Sequence, residues 1–111
     1  MDRTKISFMR QYRTPSSEGY LVRLAGTAIG RLDLHFGVES SYATLILLSE
    51  HDEAEALDLI CEIDEQLVVS ADTSREEFYV TVYHGHETGF FSDDHIDEHR
   101  SRRPAEGNGS S

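Results

Sequence analysis

Hydrophobic and polar residues alternate through much of the chain, and the period changes once. Residues 20–25 and 28–36 read as strands. In the second, Leu32, Leu34 and Phe36 point one way while Arg31, Asp33 and His35 point the other. Such alternation is expected of an antiparallel sheet with one face on the core and one in water. Gly26-Thr27 between the two fits a two-residue turn with glycine first, the type II′ pattern. After a second turn at 37–41, residues 42–49 hold a continuous apolar centre at Leu45, Ile46, Leu47 and Leu48. That run predicts a central strand covered at least in part on both faces. Residues 77–84 alternate again, with Phe78, Val80 and Val82 against Tyr79, Thr81 and Tyr83. Gly85-His86 then predicts a second turn that returns through 87–91. The two hairpins share a glycine spacing, Gly26/Gly30 and Gly85/Gly89, which the demand of tight turns for glycine explains.

Between residues 50 and 67 the period becomes helical. Ala56, Leu59, Ile60, Ile63 and Leu67 form an apolar stripe, with Leu57 flanking it. Ser49 stands where an N-cap belongs, and Glu50, Asp52 and Glu53 suit the positive end of a helix. Residues 4–9 alternate weakly, with Ile6 and Phe8 on one side, so residues 1–13 can add an N-terminal edge strand. The pattern as a whole predicts an α+β fold, with an antiparallel sheet of about five strands packed on one α-helix. Two hairpins and a central strand make up that sheet, in the order β-β-β-α-β-β. A single domain is expected over residues 14–92, with loops at 14–19 and 71–76. Residues 93–111 read as an acidic, histidine-containing segment, able to form a short helix at 93–99, followed by a disordered polar tail.

The predicted helix carries a second stripe. Glu55, Asp58, Glu62 and Glu65 recur at spacings of three, four and three, which gathers them on one face, with Glu53 at its edge. No Lys or Arg lies between Glu50 and Leu67 to neutralise them. Like charges at these spacings cost roughly 0.2–0.5 kcal/mol per pair. Either hydration or a basic partner must offset that cost.

Charge is distributed to match. The 111-residue chain carries a formal charge of −11. Residues 1–13 hold Arg3, Lys5, Arg10 and Arg13 against Asp2, a balance of +3. Residues 14–99 balance at −16 and residues 100–111 at +2. So acidic a body repels phosphate backbones, making direct nucleic-acid binding by the fold an unfavourable expectation. The basic N-terminal segment is expected to lie on the protein's own acidic body. The lone Cys61 cannot form an internal disulfide and suits a reducing compartment. No signal-like apolar segment opens the chain, and its longest apolar run is too short to span a bilayer, so a cytoplasmic location without membrane contact is expected.

Chemistry is sparse. His84 and His86 would share a face on a continuous strand, and His95 and His99 would align on a short helix. With Asp93, Asp94, Asp97 and Glu98 nearby, His84, His86, His95 and His99 form a candidate set for zinc or another divalent metal. Cys61 lies among carboxylates, which raise a thiol's pKa and oppose nucleophilic use. No P-loop, nucleophile-elbow, dinucleotide-binding or zinc-protease motif occurs. No catalytic residue and no cofactor is therefore expected. The residues point to a small interaction or regulatory module, such as an adaptor, accessory subunit or antitoxin- or immunity-like inhibitor. It would dock a basic protein surface through Glu55, Asp58, Glu62 and Glu65. A homodimer formed by edge-strand pairing is a further expectation.

Overall fold

A computed structural model describes residues 1–69 and 77–102. Five strands form one sheet in chain order: β1 (Ile6–Arg13), β2 (Ser17–Leu24), β3 (Thr27–Phe36), β4 (Ser40–Leu47) and β5 (Glu77–His84). A helix, α1 (Glu53–Ile63), follows β4 and continues through a π-helical turn, Asp64–Val68. A second helix, α2 (Asp93–Arg102), follows β5. The expected loop at 71–76 and the tail beyond Arg102 lie outside the described residues.

The α+β class holds, but the topology differs from the pattern's prediction. β1 to β4 pair antiparallel, whereas β4 and β5 pair parallel, from Ser40↔Glu77 to Leu47↔His84. The element order is β-β-β-β-α-β-α. The cause is geometric. A helical stretch of about 16 residues spans roughly 24 Å, enough to carry the chain back along the length of β4. The next strand therefore starts beside the start of β4 and must run parallel to it. The fifth strand is the N-terminal one, β1, at the sheet's edge. No second hairpin forms, since residues 85–92 have no strand structure after Gly85. Glu87 to Phe91 lacks the alternation that would give a returning strand a buried face.

The first turn also differs. Residues Ala25 and Gly26 form it, at φ 52° and 85°. Two consecutive positive φ values define type I′, whose twist suits a hairpin. Gly26 adopts this freely, but Ala25 does so against the clash of its Cβ.

One face of the sheet is dry. Val22, Leu32, Leu34 and Leu45 are buried there beneath Leu59, Ile63 and Val68 of the helix. The spacing of five between Ile63 and Val68 follows from the π turn, in which the Val69 N–H donates to the Asp64 carbonyl at 2.8 Å. An uninterrupted α-helix would have turned Leu67 inward, as the sequence pattern predicts; instead Leu67 is half-buried and Val68 takes the core position. The helix starts later than Ser49. Asp52 is its N-cap, accepting from the Glu55 N–H at 2.8 Å, while the Glu55 carboxylate accepts from the Asp52 N–H at 3.2 Å. This reciprocal capping box satisfies two orphan donors. Among the described residues no helix packs on the other face of the sheet, so β4 is shielded by α1 on one side, with Ile46 half-buried and Tyr42 exposed on the other.

Replacing Ala25 by Asn creates the Asn-Gly pair that a type I′ turn prefers. Urea unfolding should show Ala25→Asn more stable than the parent by about 1 kcal/mol. An unchanged or lower midpoint would mean that residue 25 is not held at positive φ.

Candidate functional site

The acidic face of α1 meets the chain's own N-terminus. Asp2 caps a single 3-10 turn, Arg3–Lys5, by accepting from the Thr4 N–H at 3.0 Å and the Thr4 hydroxyl at 2.6 Å. The end of this turn is tied to the first hairpin, because the Ala25 N–H donates to the Lys5 carbonyl at 2.9 Å. Ile6 then enters β1 opposite Leu24 and is buried. Arg3 is thereby fixed at the sheet edge nearest the helix. Its Nε donates to Glu62 Oε2 at 2.7 Å and its Nη2 to Glu65 Oε2 at 2.8 Å. The Met1 ammonium lies 3.6 Å from Asp58, and the Met1 side chain packs against the core.

Each of the four stripe residues therefore has an intramolecular partner. Glu55 closes the capping box and lies 3.4 Å from the His51 ring. Asp58 faces the Met1 ammonium. Glu62 accepts from Arg3 and, through its other oxygen, from Gln66 at 2.6 Å. Glu65 shares the Arg3 guanidinium and is the most open of the four. The hydrogen bond from Gln66 first, and then that from Arg3, lowers the Glu62 pKa below the usual carboxylate value. Reciprocally, Glu65 and then Glu62 raise that of Arg3. The like-charge cost that the sequence implies is thus relieved by cations imported from residues 1–3. Cys61, beside this face, is exposed.

The histidines do not gather. His84 ends β5 and lines a cavity of about 550 Å³ between the C-terminal ends of β4 and β5 and the start of α1. His86, two residues on, lines a different hollow on the other sheet face, with Leu21, Ile46 and Leu48. His95 bonds to Ser92, its Nδ1 3.1 Å from the Ser92 nitrogen, and packs edge-on to Phe91. His99 lies on α2, every residue of which is exposed. Among the described residues, no three His, Cys, Asp or Glu side chains come together as a metal site.

The cavity beside His84 occupies the place where parallel sheets often bind phosphates, at strand C-termini facing a helix N-terminus. Here that place is anionic. Glu50, His51, Asp52 and Glu53 line it, and Asp52 already occupies the cap. A phosphate entering would meet carboxylates instead of free amides.

The chain matches no family model. No curated protein matches it in sequence. Among solved structures, the ribosomal-protein-alanine N-acetyltransferase from Brucella melitensis biovar Abortus 2308 aligns with 88% of this chain and 69% of its own, at 12% identity and a TM-score of 0.37. Among the described residues no helix is long and apolar enough to cross a membrane.

The Arg3 contacts make a pH-dependent prediction. Glu62 has a folded pKa below its unfolded one, so the stability it adds is present above the unfolded value and is lost as pH falls through the folded value. Wild type should exceed Arg3→Ala in urea midpoint at pH 7. The gap should shrink as pH falls below the ordinary carboxylate value of about 4.5 and through the lowered value of Glu62. A gap constant with pH would assign the effect of Arg3 to packing.

Proposed function

We propose that the protein is a small interaction module that binds a basic segment of a partner on the outer face of α1 and performs no covalent chemistry itself. One observation carries this reading: the forked seat of Arg3 between Glu62 and Glu65, at 2.7 and 2.8 Å. The face that the charge pattern marks as a docking surface is a working guanidinium receptor, and its cis occupant is a basic residue of the same chain. Glu65, still largely open, and Glu53 extend the acidic surface around that seat. A partner's Arg or Lys side chains either dock alongside Arg3 or displace it. Exchange is feasible because exposed ion pairs contribute little stability, typically about 0–1 kcal/mol.

Association of this kind depends on charge in both rate and strength. A fluorescent peptide rich in Arg and Lys should bind the protein at 50 mM NaCl, measured by anisotropy. Raising salt to 300 mM should weaken binding about tenfold or more, and so should combining Glu55→Gln, Asp58→Asn, Glu62→Gln and Glu65→Gln. Arg3→Ala should tighten it by removing the competitor. If neither the fourfold variant nor Arg3→Ala changes the affinity, the stripe is hydrated surface and its only role is to hold the N-terminus.

A further inference from the structure

We propose that the face of the sheet opposite α1 is a self-association surface, on which a second copy of the chain packs face to face about a two-fold axis. This surface is distinct from the acidic face of α1.

The alternation that buries Val22, Leu32 and Leu45 on one side turns Met9, Leu21, Tyr42, Ile46, Tyr79 and Tyr83 to the other, joined by Leu48 just past β4. His86 and Glu87 reach this face beside Leu21, Ile46 and Leu48. Tyr12, Tyr42, Tyr79 and Tyr83 lie on it, four of the chain's five tyrosines, and each is more than one-third exposed. The Tyr42 and Tyr79 rings stack at 5.5 Å, and Tyr12 lies across Gly19, where a Cβ would stand 1.9 Å from its ring. Exposed Tyr, Met and Arg held in fixed positions are the side chains enriched at protein interfaces.

Charge and area argue for a second copy. Two chains at −11 repel through most of their surfaces. This face is close to balanced, with Arg23 and Arg31 against Asp33, Glu77 and, at its margin, Glu87. Near its middle, on the central strand β3, Arg31 and Asp33 stand 3.6 Å apart. A two-fold axis passing beside them sets each cation against the other copy's anion, the self-complementarity that an isologous contact requires. Five strands about 4.8 Å apart and about 26 Å long give a face of about 600 Å² per copy before side-chain relief. Two such faces reach the lower bound of about 1,200 Å² for a stable interface.

Sedimentation equilibrium of the full chain tests this directly. The wild type should show a concentration-dependent dimer in the micromolar range. Leu48→Arg combined with Tyr79→Arg places like charges at exposed positions of the face. It should raise the dissociation constant at least about 100-fold while leaving the circular dichroism spectrum unchanged. Arg3→Ala, on the opposite side, should leave the dimer intact. A wild type that stays monomeric to millimolar concentration overturns the proposal. So does a dimer that survives the double substitution, which would move the contact to a strand edge. Because the peptide assay reads only the α1 face, failure of either proposal is distinguishable from failure of the other.

Discussion

The arrangement depends on one electrostatic constraint: a helix that gathers carboxylates on its outer face must find positive charge somewhere. α1 contains no Lys or Arg, so its pairs of charged side chains at i, i+3 and i, i+4 are all repulsive. The cations come from the other end of the chain. β1 pairs with β2 along the sheet edge, the 3-10 turn before it is capped by Asp2, and Arg3 emerges between Glu62 and Glu65. The hydrophobic side of the same helix, through Leu59, Ile63 and Val68, fixes which way those carboxylates point. Core packing therefore sets the acidic face, and strand pairing delivers its counter-charge.

This linkage bears on function because both halves are separable. The core does not need Arg3; burial of aliphatic side chains at about 25 cal/mol per Å² supplies most of the driving force. The guanidinium seat is a surface feature built on a rigid helix, where charge-assisted contacts are individually weak and readily exchanged. Under the docking function proposed above, a competitor for this seat must displace a group already held at high effective concentration, which disfavours nonspecific partners. The opposite face of the sheet differs in chemistry, with exposed tyrosines and a near balance of charge in place of a one-signed stripe.

Much of this was legible in the residues, and the failures are instructive. The helix was plain because Leu59, Ile60 and Ile63 keep the 3.6 period while Glu55, Asp58 and Glu62 keep it on the other side. Its start was misplaced because Ser49 satisfies the same capping rule as Asp52. The pair Asp52-x-x-Glu55 is a capping-box signature that distinguishes them. The turn was misplaced by one residue because a lone glycine does not say whether it comes first or second in a two-residue loop. The second hairpin rests on Gly85-His86 after an alternating strand, but Glu87 to Phe91 does not alternate, and a hairpin needs an alternating strand on both sides of its turn. Parallel pairing of β5 was hidden because periodicity reports which face is buried, not which direction the chain runs. The N-terminal cations were visible against the acidic body, but their specific partners depend on the register of β1, which no local pattern encodes.

The most direct measurement is a double-mutant cycle between Arg3→Ala and the pair Glu62→Gln with Glu65→Gln, read by urea unfolding at low and at high salt. A favourable coupling between the two sites is predicted at 50 mM NaCl, collapsing toward zero near 1 M as exposed charges are screened. Strictly additive effects at low salt would contradict the account, since the helix face would then not be holding Arg3 at all.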